Sequence, residues 1–495
     1  MSDGFDAVVV GAGPNGLVGA LELAEAGCRV LVLEAADRVG GGLRTEELTL
    51  PGFHHDVGAT VLPLALASPA LRNRELPGLQ WSQPPLPAGH PLDDTEAGAV
   101  LVHRDAQRTA DGLGRDARAW QRTVGAAAAA GDRLVDALLS PLSPSAAVRA
   151  TGPLIRYGAA GILPAAVLAH TAFRTERARA VLAGMSAHSV LSLRRPSTAG
   201  YGVFMSALAH SAGWPLVRGG SERLAEALAA RLLALGAEIR TGHPVADLND
   251  VPAAGITLLD LTPRQVIAVA GDRLPARYRR ALGRFRYGPG VFKLDYALDA
   301  PMPWRAAELA GAGTVHLGGT LAEIAYAEAQ VARGRHPDRP YVLCVQPTVA
   351  DPSRAPEGKH VLWAYCHVPN GSTRDCTANI EGQLERFAPG FGERVLARNV
   401  LDTAALQRFD ANLVGGDIGG GAANLSQFVA RPVLRAHPWA TPVPGLYLCS
   451  ASTPPGGGVH GMGGWHAARL ALRRAGRSQP RASRSTRGDR SSLRT

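Results

Sequence analysis

The feature that most constrains this chain lies at its start. Residues 6–10 (DAVVV) form a short apolar run of the kind buried on both faces in a parallel sheet. They lead directly into Gly11-Ala12-Gly13-Pro14-Asn15-Gly16 and then into a helical stretch over residues 17–26. The three glycines have separate tasks: Gly11 turns the chain, Gly13 admits a pyrophosphate to the backbone, and Gly16 lets helix and strand pack closely. The helix start supplies N–H groups and the positive end of a dipole. A second apolar strand, residues 29–33, ends in Glu34 and Ala35, where a carboxylate can accept hydrogen bonds from ribose hydroxyls. Strand, turn, helix, strand and acid together specify a dinucleotide site and leave NAD and FAD both open.

The choice turns on Arg38-Val39-Gly40-Gly41-Gly42-Leu43-Arg44-Thr45, because an NAD domain has no need of a second glycine loop after its ribose acid. This stretch resembles the R-x-G-G-x-x-x-(S/T) signature of the FAD-dependent amine oxidase and phytoene desaturase superfamily, with Arg38, Gly40, Gly41 and Thr45 in the matching places. The family often has arginine where Gly42 stands, and Arg44 is the nearest substitute charge. The C-terminal region extends the resemblance. Thr441 and Tyr447 have the spacing of the last flavin-domain strand, and Ser450-Ala451-Ser452 replaces the Gly-Asp of many FAD enzymes, as in the phytoene desaturase branch. A glycine-rich run from Gly456 through Val459, His460, Gly461 and Met462 then enters a helix over residues 461–474.

The resemblance implies an α/β fold in which a Rossmann-type, glutathione-reductase-like FAD-binding domain is interleaved with an α+β substrate domain. It places FAD against Gly11, Gly13, Pro14, Asn15, Gly16, Glu34, Ala35, Arg38, Gly41, Gly42, Leu43 and Arg44, and the adenine near the backbone of Val245. Ser452 inherits the ribitol contact, and Val459, His460, Gly461 and Met462 lie against the isoalloxazine. There the glycines let the helix start press on the ring, and its dipole stabilises charge developing at N1 and O2.

A chain of 495 residues exceeds one typical domain. The pattern predicts FAD-binding segments at 1–65, 213–262 and 435–475, substrate-domain segments at 66–212 and 263–434, and a disordered basic tail at 476–495. Within the FAD segments Ser221 is the expected cap of a helix over 222–235, and residues 238–241, 245–248 and 255–261 are expected strands. Eight arginines and one aspartate between 471 and 495 account for +7 of the net charge of +10, which argues against a nucleic-acid-binding surface on the folded part. The five cysteines form no C-x-x-C pair, so structural zinc and a redox dithiol are not expected, nor is any other metal. With no signal-peptide pattern and no apolar run of membrane-spanning length, a cytoplasmic enzyme is the expectation, with peripheral membrane contact left open. Residues 158–169 (GAAGILPAAVLA) are the most apolar of the cap; an ordinary core helix is favoured over a membrane-docking one.

On the substrate side, residues 290–298 alternate as a strand, with Phe292, Leu294, Tyr296 and Leu298 on one face and Lys293 and Asp295 on the other. The chain has only two lysines, 293 and 359, against fifty arginines. Lys293 resembles by position the amine oxidase lysine that holds a water against flavin N5; an ion pair with Asp295 is the equal alternative. His188, His460, His466 and Asp417 are the candidate bases, His460 foremost. Gly311-Ala312-Gly313 lacks the strand and third glycine of a second nucleotide loop, so NAD(P)H is not expected to serve the flavin. The reading is an FAD-dependent dehydrogenase or desaturase that moves a hydride from a C–H bond of a small or lipophilic metabolite to flavin N5 and is reoxidised by O2 or a quinone. The alternatives are an O2-using amine oxidase, against which the low aromatic content (5%) speaks, and a flavin-dependent isomerase or non-redox flavoprotein.

Overall fold

The computed structural model describes residues 4–93, 98–141 and 152–477. The expected basic tail falls almost wholly outside them. Two sheets organise the chain. The first has five parallel strands in the order Leu446–Leu448, Ile256–Leu259, Ala7–Val10, Val30–Leu33 and Glu238–Arg240. Ala7–Val10 occupies the centre and is buried at every position, as its unbroken apolar run requires. Three helices cover this sheet's core: Pro14–Glu25, Glu222–Ala234 and Met462–Arg474. Gly19 and Gly464 set the approach of the first and last of these, since a Cβ on Gly19 would lie 3.2 Å from the Gly464 Cα. Glu222–Ala234 ends at Gly236 (φ +81°), where the Ala237 N–H returns to the Leu232 carbonyl at 3.1 Å.

The second sheet has seven strands, ordered Val395–Leu401, Gly290–Leu298, His360–Val368, Val342–Val345, Ala312–Leu317, Leu86–Pro91 and Ala99–Val102. All its pairs are antiparallel except Leu86–Pro91 with Ala312–Leu317. Phe292, Leu294, Tyr296 and Leu298 pack into an apolar layer with Phe387 and Phe391 on one side. Val291 joins Trp363 and Tyr365 on the other side, where the helices Glu176–Ala187 and Thr198–Ser211 lie. The fold is thus a mixed α/β structure, a Rossmann-like parallel sheet joined to an α+β substrate part.

Several local expectations are corrected. Residues 245–248 are not a strand: Pro244 removes a ladder donor, and Asp247 and Asp250 turn their carboxylates onto nearby backbone N–H groups to close a turn. The apolar run 158–169 is two helices, Gly152–Gly161 and Ala165–Ala172, broken before Pro164. Leu168 and Ala169 are buried while Ile162 and Val167 are exposed, so the run is a core helix only in part. Ser221 does not cap Glu222–Ala234; its hydroxyl lies 3.1 Å from both the Leu43 carbonyl and Asp56 Oδ1.

Candidate functional site

The first glycine loop leaves the end of Ala7–Val10 with Gly11 at φ +99°, and the Gly11 N–H donates to the Leu33 carbonyl at 2.8 Å. A Cβ on Gly16 would overlap the Gly11 carbonyl oxygen, which accounts for the third glycine by packing alone. Gly13 is the extended residue before helix Pro14–Glu25 and caps it with no side chain, while Pro14 fills the first turn, where its missing N–H costs nothing. The Asn15 side chain turns away, its Oδ1 accepting from the Gly463 N–H at 3.1 Å and joining the first helix to the last. Glu34 accepts from the Ala12 N–H at 2.6 Å and the Ala36 N–H at 2.9 Å, with lone pairs left for a ribose; Ala35 beside it is exposed.

The second glycine loop lies on the first. Gly40 and Gly41 have φ of +127° and +53°, the Gly40 N–H donates to the Ala12 carbonyl, and a Cβ on Gly41 would sit 3.1 Å from the Gly13 Cα. Gly42 faces open space, and Leu43 is buried beneath it. Arg38, expected at the cofactor, is paired with Glu46 and with Glu222 at 3.4 Å, so its charge braces the loop against the following helix. Arg44 donates to the Phe409 carbonyl and stacks 3.8 Å from that ring's centroid. Backbone donors on Gly242 and His243 meet the carbonyls of Ala36 and Glu34, which brings the segment before Val245 beside the ribose acid despite the lost strand.

At the C-terminal end, close packing accounts for three of the glycines. Cβ atoms on Gly463 and Gly464 would overlap the carbonyls of Cys449 and Asn15, and Gly461 (φ +68°) presses on Val18, so they seat the helix on its neighbours. Val459 is half-buried against the core of the first sheet, and Met462 is fully buried. His460 uses both ring nitrogens: Nδ1 accepts from the Met462 N–H at 3.0 Å and Nε2 meets the Gly456 carbonyl at 3.2 Å. Burial pushes its pKa down to about 4, so it is a neutral clamp on the helix start. The Ser452 hydroxyl donates to the Gly420 carbonyl at 2.8 Å and tethers the loop whose Asp417 collects N–H groups from Gly288, Gly419 and Gly421. His466 meets the Leu139 carbonyl. Three of the four candidate bases are therefore held by structural bonds, and His188 lies 2.9 Å from His316, Nε2 to Nε2.

Lys293 is buried and paired with Asp295, with its ammonium 5.4 Å from the Trp363 ring centroid. Trp363 stacks on Tyr365 at 5.6 Å and 13° and donates through its indole N–H to Thr60 at 2.8 Å. Asp56 is tied to Thr45 and forms a buried pair with Arg354; His55 Nδ1 stands 3.8 Å from Asp295. The 56–60 segment hydrogen-bonds the second glycine loop, Val57 to Arg44 and Ala59 to Gly42, and so connects Lys293 with the cofactor end of the molecule. Buried polar atoms with no partner gather here: His55 Nδ1, Asp295 Oδ2, Arg354 Nε and Nη1, and Asn399 Nδ2. Arg354 carried no sequence signal, being one arginine among fifty. A cavity of about 500 Å³ lined by Val100, Arg108, Arg305 and Phe387 contains none of these residues.

Two stacked glycine loops, a helix that starts on a glycine and an acid with lone pairs to spare at the second strand's end fit an extended dinucleotide. Comparison with known proteins agrees. Residues 9–73 match the family model of an NAD(P)-binding Rossmann-like domain. The chain is 28% identical over 550 residues to pyridine nucleotide-disulfide oxidoreductase domain-containing protein 2 of Mus musculus, covering 95% of this chain and 93% of that one. It is 30% identical over 388 residues to phytoene dehydrogenase of Streptomyces griseus, covering 73% of each. Among solved structures, putrescine oxidase bound to putrescine superposes with a TM-score of 0.61 over 96% of this chain and all of that one, at 18% identity. These likenesses, together with a cradle built for FAD, show that the chain belongs to the FAD-dependent amine oxidase and phytoene desaturase superfamily, a group of flavin oxidoreductases acting on small molecules.

Proposed function

We propose that this oxidoreductase is a dehydrogenase or desaturase acting on a small or lipophilic metabolite, with O2 or a quinone taking the electrons. When bound, FAD supplies the hydride-accepting N5. The observation that carries the reading is the contact between Trp363 and Thr60, which sets the Lys293 face of the substrate sheet against the segment lying on the second glycine loop. On that face Trp363 and Tyr365 give a flat apolar wall for orienting substrate, and the buried Lys293–Asp295 pair can hold a water in fixed geometry. His460, proposed at the isoalloxazine, acts there by fixing the start of helix Met462–Arg474, and with Nδ1 accepting from Met462 and Nε2 turned to the Gly456 carbonyl its ring keeps no free lone pair for a substrate proton. Exposed Leu425, Phe428, Val429 and Leu434 support the lipophilic end of the substrate range and peripheral membrane contact.

Amine oxidation is the second reading, and it gains from one finding. The chain is poor in aromatic residues overall, yet Trp363 and Tyr365 stack beside Lys293, where an aromatic enclosure for an amine belongs. The deciding experiment is an absorbance spectrum of the purified protein, then reduction under nitrogen and exposure to air or to a quinone. The dehydrogenase reading expects a flavin spectrum that recovers quickly with the quinone or only slowly in air. Fast recovery in air with peroxide released would transfer the assignment to the oxidase, and a protein that carries and binds no flavin would overturn both.

A further inference from the structure

Beneath the first glycine loop lies a carboxyl group in a place usually reserved for the cofactor's own negative charge. Asp260 follows strand Ile256–Leu259 and is 5% exposed. Its Oδ2 accepts from the Gly16 N–H at 2.8 Å, one of the first-turn donors of helix Pro14–Glu25. The same oxygen is where a Cβ on Gly13 would point, 3.0 Å away, and a Cβ on Gly11 would lie 3.0 Å from the Asp260 Cβ. All three glycines of the turn therefore close around this one side chain. Asn412 fixes its backbone by donating to the Asp260 carbonyl at 3.0 Å.

The surroundings are unfavourable for an anion. Asp410 packs against Gly41 of the second loop, and Glu34 braces Ala12 of the first. Arg44 of the second loop is turned to the Phe409 carbonyl, and the buried Cys449 thiol follows the last strand. A diphosphate brought to the same loop adds further negative charge at short range in a dry site, where like charges repel strongly. A neutral carboxylic acid resolves the conflict. With Oδ2 accepting from Gly16, the acid proton sits on Oδ1 and is available as a donor.

We infer that Asp260 is the protonated partner of the FAD pyrophosphate, donating a hydrogen bond to a phosphate oxygen, so that FAD binding takes up a proton once the free protein has lost it. The ionisation of the free protein agrees in direction: burial, with Asp410 and Glu34 adding to it, raises this carboxyl to about 7 against the opposing Gly16 bond. The inference rests on FAD being the cofactor. No covalent bond changes; one proton moves from solvent to Asp260 as FAD enters.

The test uses the full chain stripped of flavin and titrated with FAD, following flavin fluorescence from pH 6 to 9. Above pH 7 the wild-type Kd should rise, approaching tenfold per pH unit, whereas Asp260→Asn, a permanently neutral donor of the same shape, should bind FAD with a Kd that stays flat. Calorimetry of the wild type at pH 8 in buffers of differing ionisation enthalpy gives a second reading that needs no variant, and uptake approaching one proton is expected. A wild-type Kd independent of pH, no proton uptake, or the same slope in Asp260→Asn would each overturn the assignment. FAD bound by neither protein at any pH would overturn the flavin reading and this inference with it.

Discussion

At the scale of single residues, buried ionisable groups dominate. Lys293→Met removes the cation from Asp295, which is fully buried, and is expected to cost about 3–5 kcal/mol of stability if the carboxylate stays charged. Lys293→Met combined with Asp295→Leu should recover most of that loss, by chemical denaturation; a single variant as stable as the wild type would contradict the pair's structural role. His466 gives a pH effect of defined sign. Burial lowers its pKa to about 4, so the unfolded chain binds the extra proton and stability is lost as pH falls from about 6.5. At pH 5 this amounts to ~2 kcal/mol, and His466→Gln, whose amide can still donate to Leu139, should lose that much less between pH 7.5 and 5.

The residues legible in the sequence were those whose role is local. Gly11, Gly13, Gly16 and Glu34 declare themselves because the whole unit spans about thirty residues. Asp260 meets Gly16 across 244 positions, and nothing in the sequence near either residue announces the other. The resemblance expects Arg38, Ser452 and His460 at the cofactor, and in the structure each side chain also engages a protein group, which no local pattern in the sequence foretells.

At the scale of elements, the helix pair Pro14–Glu25 and Met462–Arg474 depends on glycine at the crossing. Gly464→Ala puts a methyl group into the Asn15 carbonyl and should cost about 3 kcal/mol, the upper end of overpacking, with flavin lost on gel filtration. Gly158→Ala, in a helix with open space at its Cβ, should instead raise stability by up to ~1 kcal/mol. A Tm for Gly464→Ala equal to that of Gly158→Ala would refute the crossing argument. Elements were legible where the apolar period was unbroken, as in Gly290–Leu298. The helix Leu321–Val331 is absent from the sequence reading, although Thr320 and Glu323 form its capping box. Val245 went wrong in the opposite way, where a short apolar pattern was outweighed by Pro244 and two acidic turn residues.

At the scale of the whole molecule, the two sheets are threaded by repeated crossings of one chain. Trp439 reports on the core of the first sheet, and Trp120, Trp214 and Trp363 report on the core against the second. FAD at a free concentration of 100 times its Kd should raise stability by about 2.7 kcal/mol. That gain should appear in one transition, with flavin release and tryptophan exposure coinciding in a thermal melt; two separated transitions would show that the sheets unfold independently.

The order of strands in the parallel sheet also sets a timetable for synthesis. Its centre and one flank emerge with the first thirty-three residues, but Glu238–Arg240 and Ile256–Leu259 follow some two hundred residues later, and Leu446–Leu448 with its helix comes near the end. On the ribosome, the half-built cradle around Gly11–Gly16 exposes an apolar strand with no neighbour at Ile256–Leu259 and no closing helix at Met462–Arg474. Cofactor capture therefore waits on Ile256–Leu259 and Met462–Arg474, and a polypeptide released before residue 462 has the glycine signature of a flavoprotein without the means to keep a flavin.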